Sequence, residues 1–556
     1  WLQRRQAKLR RRRARTGCPV CRMVESSDAA PTPQEPPRSL AGRLVHLGPG
    51  IILASSIVGS GELIATTAVG ATAGFTLLWL ILLGCGVKVA AQIEIGRNTL
   101  TWGRTPLEAF DRVPGPRLFR RNWIWWGWAA MTLLILLQQG GIVAGVAQSL
   151  AAAVPVSAAG RAWNTAHDEI AAARIAAATA KRRASADGSQ LGAAAHSGSG
   201  WNSASPAATA SLAAREAAAA ALPQPSDTTF WTVAAAAVTA GLLLVGRYAA
   251  IERISVVLVA AFTAVTLLAL ALLQRNPAWA ISGPEIASGL LPSIPPATAG
   301  RAPLAVGLAA FGIIGVGASE LMIYPYWCLE KGYGRAVGPR DNSPAWARRA
   351  RGWLGVMQLD AWGSMIVYTL VTVAFYLLGA ATLGRLGLVP AGGEMVRTLG
   401  AMYAPVFGDW ASTVFRWGGF AVLYSTFFVA AAGNARMVAD GLAMQGLAPP
   451  DGPPNSPAAC SRARFTRRLS AAWVLVAGLL ALAIDAPVAM VLASGVAQAI
   501  MLAALAVAVL WFRHADADPR LAPSRAWDLL LWLSAAGFLA VGLWTAFDRL
   551  ASALAR

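Results

Sequence analysis

The sequence predicts an all-α integral membrane protein with about eleven transmembrane helices. Its 556 residues are 56% hydrophobic and only 13% charged, and a mean hydropathy of +0.51 is too high for an ordinary soluble protein. Windows of about 20 apolar residues, the length that crosses a bilayer, recur along the whole chain. Two of these windows are interrupted in the same way, by GSGE at residues 59–62 and by GASE at residues 317–320. The interruptions indicate a bundle built from two related halves.

Eleven windows are predicted to be membrane spans, which we number 1 to 11 in chain order. They are residues 47–68, 74–96, 124–150, 229–246, 254–273, 303–327, 359–383, 408–431, 469–484, 487–512 and 527–547. If the N-terminus is inside, the inner segments hold 33 Lys and Arg residues and the outer segments hold 12. Because cytoplasmic loops carry the excess of these residues, the sequence predicts a multi-pass protein of the cell membrane with a cytoplasmic N-terminus.

The spans divide the chain into five parts. These are a basic cytoplasmic arm (1–46), spans 1–3 (47–150), a low-complexity Ala/Ser-rich extracytoplasmic insert (151–228), spans 4–10 (229–512), and a cytoplasmic loop with the peripheral span 11 (513–556). The arm is expected to contact anionic membrane lipids and not nucleic acid, because it directly precedes a membrane span. The insert has too few large apolar residues to build a core, so it is predicted to be mostly disordered, apart from a candidate exposed helix over 168–183.

Spans 1–5 and spans 6–10 are predicted to form an inverted repeat. Each group starts with an interrupted span, and because five is odd the second group enters the membrane from the opposite side. Interrupted spans at corresponding positions of two halves are the usual sequence sign of a transporter's central binding site. A carboxylate in the middle of a span costs about 2.5 to 3.5 kcal/mol to insert. Glu62 and Glu320 are therefore predicted to face the bundle interior and to be functional.

The candidate substrate ligands combine two carboxylates with neutral oxygen atoms. They are Glu62, Glu320, Gly59, Ser60, Gly61, Ser319 and Ser56. An oxygen-rich site of this kind suits hard cations such as Mg²⁺, Mn²⁺ or Ca²⁺, and two carboxylates would neutralise one divalent ion. Two alternatives are that each glutamate carries a proton, or that it only caps the helix that resumes after the break.

Four further polar residues inside the spans are candidates for coupling or gating: Lys88, Gln138, Asp360 and Gln498. Lys88 lies about two turns from the predicted cytoplasmic end of span 2, so its ammonium is expected to snorkel to that interface. The alternative is a partnership with Glu62, Glu320 or Glu94. The four histidines all lie away from the middle of a span, so the sequence predicts no histidine proton relay.

The chain resembles the natural resistance-associated macrophage protein (NRAMP) family of divalent-metal transporters. The resemblance rests on Gly-Pro-Gly at 48–50, on the break about ten residues later, and on the order of the spans through Phe547. It implies a leucine-transporter-type 5+5 inverted repeat with broken helices 1 and 6. In the family the first break reads Asp-Pro-Gly-Asn and helix 6 carries Met-Pro-His. This chain has Gly-Ser-Gly-Glu at 59–62 and Ser-Glu-Leu at 319–321 instead.

The combined prediction is a secondary transporter that moves a hard divalent cation by alternating access, with the ion as its substrate and no resident cofactor. One alternative is a transporter of an amino acid or a small organic cation on the same fold, although two glutamates would repel a substrate carboxylate. Another is a membrane receptor without transport. An enzyme is not predicted, since the sequence shows no nucleophile–base pair, metal-binding histidine cluster or phosphate loop. The sequence indicates no oligomeric state.

Overall fold

The computed structural model describes residues 33–188, 206–223, 225–246, 248–295, 303–452 and 456–554. In these ranges, ten helices are long and apolar enough to cross a membrane, and a bent helix pair makes an eleventh span. The eleven elements follow the predicted spans in order. We call the end of the bundle next to residue 46 the arm side, and the end next to residue 154 the insert side.

Spans 1, 6 and 7 contain irregular helix. Span 1 is the helix Pro49–Ile57, a π-helical segment Val58–Thr66 and the helix Thr67–Ala73; span 6 is Pro303–Ile313 and Ala318–Glu330; span 7 is Pro344–Leu378 followed by a π-helical segment Gly379–Gly384. The other spans, in chain order, are Leu78–Trp102, Trp123–Ala153, Asp227–Val245, Tyr248–Leu273, Ala411–Met444, Pro457–Ala483, Pro487–His514 and Arg525–Leu554.

Short elements connect the spans. The short α-helices are Leu40–Val45, Pro106–Phe110, Gly283–Leu290, Tyr333–Val337, Met395–Gly400 and Ala404–Phe407, and the 3-10 helices are Gly392–Glu394, Ala401–Tyr403, Gly408–Trp410 and Pro519–Leu521. Two short antiparallel strands, Arg117–Leu118 and Arg121–Asn122, pair Arg117 with Asn122. They form a hairpin on the arm side, between spans 2 and 3.

Spans 7 and 9 each begin at least about a dozen residues before their predicted starts. Span 8 continues beyond its predicted end to Met444. The extra turns carry arginines and lie at the arm side, so a search for apolar windows misses them. Their starts follow ordinary capping rules: Ser343 and Ser456 are N-caps whose side-chain oxygens accept hydrogen bonds from backbone N–H groups, and a proline follows each cap.

The insert is more ordered than the sequence predicts. Its described residues form the long helix Ala158–Gly188 and the helix Pro206–Ala220, as the high helix propensity of alanine favours. The Asp168 carboxylate accepts hydrogen bonds from the guanidinium groups of Arg397 and Arg416, which anchors the first of these helices to span 8 and to the segment before it. The expectation of a mostly disordered insert is therefore wrong for the part of it that the structure describes.

Glycines allow spans 1 and 6 to pack closely at the centre of the bundle. A Cβ atom added at Gly61 of span 1 would lie 2.9 Å from the Ile313 carbonyl oxygen of span 6. One added at Gly312 would collide with the Gly495 carbonyl of span 10, and one at Gly59 would collide with Thr426 of span 8. The two interrupted spans thus meet at their breaks, with spans 8 and 10 packed directly against them.

Candidate functional site at the two helix breaks

The break in span 6 is a short non-helical link. The first half-helix ends at Ile313, the second begins at Ala318, and Gly317 is the N-cap residue of the second half. Gly315 has a φ of +62°, a left-handed conformation that glycine adopts without the penalty a Cβ would bring. The chain thereby turns between two half-helices and exposes backbone groups to the bundle interior, as the sequence predicts for an interrupted span.

The break in span 1 is a widening of the helix and not an unwound loop. Residues Val58–Thr66 are π-helical, and the helical segments on either side of the break are bent by 41°. The Gly59 N–H donates a hydrogen bond to Thr426 Oγ1 at 3.0 Å, and the Gly61 carbonyl accepts one from Thr66 Oγ1 at 2.9 Å. Short π-helical segments occur frequently at functional sites, and this one carries Glu62.

Glu62 connects three spans and is completely buried. Its Oε1 atom accepts hydrogen bonds from the Gly315 N–H at 3.2 Å and from Thr372 Oγ1 at 2.9 Å. Its side chain is 0% exposed, and its Oε2 atom has no hydrogen-bond partner among the described residues. A buried carboxylate oxygen without a partner is costly, so this atom is a candidate ligand for a cation.

Glu320 lies in the first turn of the second half of span 6. Its Oε2 atom finds no hydrogen-bond partner in the described part of the chain. A methyl group at Gly317 would collide with this Oε2, and it would lie 2.6 Å from Gln498 Oε1 and 3.2 Å from the Gly312 carbonyl oxygen. Three oxygen atoms therefore converge on Gly317. The position of Glu320 in the first turn of a half-helix, where a negative charge is favourable, fits both the cap and the ligand interpretation.

A hydrogen-bond network extends from Ser319 to span 3. Gln498 Oε1 accepts from the Ser319 N–H at 3.1 Å, and Gln498 Nε2 donates to Gln138 Oε1 at 3.0 Å. Ser494 also donates to Gln138 Oε1, at 2.7 Å, and Ser319 Oγ donates to Asn434 Oδ1 at 3.3 Å. The predicted candidates Gln138, Gln498 and Ser319 are thus brought together. Ser494 and Asn434 were not predicted, although a polar residue within an apolar span was the signal that could have identified them.

Lys88 does not snorkel, contrary to the prediction. Its side chain is 0% exposed, and its ammonium donates hydrogen bonds to the carbonyl oxygens of Phe311 and, at 2.7 Å, of Ile314. Glu62 lies close by, because it accepts from the Gly315 N–H of the same peptide group whose Ile314 carbonyl binds Lys88. The reason is that the break in span 6 leaves carbonyl groups beside span 2, and an ammonium can bond them without reaching the interface.

Two other candidates lie away from this arrangement, and a third cannot be placed in full. Asp360 is at the arm side, where it accepts hydrogen bonds from the N–H groups of Gly48 (2.9 Å) and Gly50 (2.6 Å) and from the Tyr324 hydroxyl (3.0 Å). It caps the start of span 1 and links spans 1, 6 and 7. Ser56 is buried in the first half-helix of span 1, and the Ser60 side chain lies outside the described residues.

The chemistry of the site is that of oxygen ligands. Within the described ranges, no group of three or more His, Cys, Asp or Glu side chains could hold a metal ion. A cation at the breaks would therefore depend on two carboxylates together with amide, hydroxyl and carbonyl oxygens, the ligands that hard cations prefer. The described histidines do not contribute: His46 contacts Trp353, His167 stacks on Trp163, and His514 lies beside Trp532.

Comparison with known proteins identifies the family. The sequence profile of the family described as natural resistance-associated macrophage protein-like matches residues 169–548, more than half of the chain. The chain belongs to this NRAMP family. A search of curated protein sequences found no match. The NRAMP family is a family of metal ion transporters, and the predicted resemblance is therefore confirmed.

Solved structures confirm the NRAMP fold. Crystal structures of the Eremococcus coleocola manganese transporter share 14% sequence identity with this chain, and the matches cover 93% of this chain and 90% of that one. The TM-score is 0.58 for a histidine-to-alanine mutant, 0.59 for a glutamate-to-glutamine mutant, and 0.57 for a complex with an aromatic bis-isothiourea substituted compound. At this identity the comparison shows the fold alone, which is the leucine-transporter type with interrupted helices 1 and 6.

Proposed function

We propose that this protein is a secondary transporter that moves a hard divalent cation, such as Mn²⁺ or Mg²⁺, by alternating access. The substrate ion binds at the breaks of spans 1 and 6, with Glu62 and Glu320 as its charged ligands. Membership of a metal-transporter family and the manganese transport named for the Eremococcus protein support this proposal. The inverted repeat supplies two halves that can rock around a central site.

The main support for the proposal is that each break holds a glutamate with a buried carboxylate oxygen that lacks a hydrogen-bond partner among the described residues. Two such atoms beside interrupted helices are expensive unless a ligand compensates them. A divalent cation would compensate both, and Gln498 Oε1 beside Glu320 would add a neutral ligand. Mg²⁺ usually keeps several waters and binds through one or two carboxylates, and Mn²⁺ likewise prefers carboxylate, carbonyl and water oxygens, so a site with two charged ligands suits both ions.

Uptake into vesicles tests this function. The purified protein is reconstituted into liposomes, and Mn²⁺, Mg²⁺ and Ca²⁺ uptake is followed in parallel with uptake of radiolabelled amino acids. We expect saturable uptake of at least one divalent cation and none of the amino acids, with protein-free liposomes as the control. Uptake of an amino acid alone would support the organic-solute alternative, and no uptake of any solute would support a receptor.

The orientation in the membrane is part of the same proposal. The excess of basic residues at the arm side supports a cytoplasmic location for that side, and eleven spans would then put the residues after span 11 outside. We expect a cysteine at the exposed arm-side position Asn342 to react with an impermeant maleimide only in permeabilised cells. A cysteine at Ser288, exposed on the insert side, should react in intact cells, with the unsubstituted protein as the background. The reverse pattern would contradict the topology.

A further inference from the structure

Lys88 is the most unusual charged group at the site. It is fully buried in span 2, and within the described chain no carboxylate oxygen forms a salt bridge with it at 4.0 Å or less. Its ammonium instead donates to the carbonyl oxygens of Phe311 and Ile314 and lies 4.8 Å from the centre of the Phe311 ring. A buried charge must be compensated, and here backbone carbonyls provide most of that compensation.

These carbonyls are at the C-terminal end of the first half of span 6. The end of a helix carries unsatisfied carbonyl groups with a partial negative charge of about half an electron. In transporters with interrupted helices, such carbonyls are typical ligands of a bound cation. The Lys88 ammonium therefore lies where a free cation would find carbonyl ligands. Unlike a free cation it cannot dissociate, because it is covalently part of the chain. Glu62 lies beside it, because the Glu62 carboxylate accepts a hydrogen bond from the N–H of the same peptide group whose Ile314 carbonyl binds Lys88.

We propose that Lys88 is a tethered cation that occupies the Phe311 and Ile314 carbonyls in place of a free monovalent cation. The site then holds one exchangeable divalent ion and requires no Na⁺ or K⁺ as a partner. This inference rests on the proposed function, because it assigns Lys88 a role beside the substrate ion. It predicts that removing the side chain opens a site for a small monovalent cation.

Thermal unfolding of Lys88→Ala without divalent ions tests the inference directly. Unfolding is compared in Na⁺, methylammonium and bulky N-methyl-D-glucamine chlorides at equal ionic strength. We expect Lys88→Ala to melt below the wild type in the bulky salt and to regain about 3 °C or more, in proportion to concentration, with one of the small cations. The wild type and Lys331→Ala, which removes an exposed lysine at the arm side, should show no such difference between salts.

Two outcomes of the melting experiment contradict the inference about Lys88. Identical melting of Lys88→Ala in all three salts, or wild-type stability in the bulky salt, would overturn the inference. If Lys88→Ala does not fold, Mn²⁺ uptake by the wild type is measured instead. We expect this uptake to be unchanged when N-methyl-D-glucamine replaces Na⁺. A requirement for Na⁺ would overturn the proposal. Failure of wild-type Mn²⁺ uptake would count against the transport function alone, because the unfolding experiment contains no divalent ion.

Discussion

Replacing Glu62 or Glu320 by glutamine is expected to weaken Mn²⁺ binding about 100-fold, which corresponds to about 2.7 kcal/mol. Glutamine retains the shape of the side chain and, at Glu62, the oxygen that accepts from Gly315 and Thr372. It removes one of the two charges that neutralise a divalent ion. Calorimetric titration of the purified variants measures the change, and vesicle uptake at low Mn²⁺ concentration should fall with it.

The same variants separate the three roles that the sequence allows for each glutamate. A residue that only caps a helix would lose about 1 kcal/mol of stability and little affinity, whereas a proton carrier would keep its affinity and lose the pH dependence of transport. Glu94→Gln is the matched control, because Glu94 is also buried in a span but binds Arg97 and Trp527. Unchanged Mn²⁺ affinity in both site variants would exclude a shared two-glutamate site.

Gly317→Ala is expected to weaken Mn²⁺ binding at least about tenfold without changing any charge, because the new methyl group would occupy the place on which the oxygens converge. It would collide with Glu320 Oε2 and lie 2.6 Å from Gln498 Oε1, so both must move. The φ of Gly317 is −66°, which alanine adopts readily, so backbone strain does not contribute. Mn²⁺ titration measures the loss, and melting curves report whether the fold is retained.

Gly363→Ala provides the control for this substitution. Gly363 lies on span 7, and among the described residues no heavy atom lies within 4 Å of a Cβ added there. Its alanine variant should bind Mn²⁺ like the wild type and melt at the same temperature or slightly higher, since alanine favours helix over glycine. Equal affinities of Gly317→Ala and Gly363→Ala would show that the Glu320 and Gln498 oxygens do not bind the ion.

The fold could be predicted because membrane spans leave a strong signal in the sequence. Long apolar windows identified all eleven spans, and GSGE and GASE identified the two interruptions. The kind of interruption could not be predicted: span 1 widens into a π-helix, whereas span 6 unwinds at Gly315. Both sequences combine glycine with small residues, and the difference depends on packing, such as the contact of Gly59 with Thr426, which no local pattern contains.

The surroundings of the candidate site depended on contacts between distant parts of the chain. Distance to the interface predicted that Lys88 would snorkel, but carbonyls freed by the break in span 6, more than 220 residues later, hold it inside. Asp360 appeared as a polar residue in a span, yet it caps the start of span 1. The order of the insert likewise depends on Asp168 meeting Arg397 and Arg416. Polarity identified these residues, but only the three-dimensional structure identified their partners.

The position of the bound ion in a crystal shows whether the two breaks form the binding site. Crystals of the protein grown with Mn²⁺ are measured on both sides of the manganese absorption edge, and the anomalous difference map shows where the ion lies. We expect one strong peak at the breaks of spans 1 and 6, within about 2.5 Å of a carboxylate oxygen of both Glu62 and Glu320. A strong peak elsewhere, with none at the breaks at saturating Mn²⁺, would contradict this expectation.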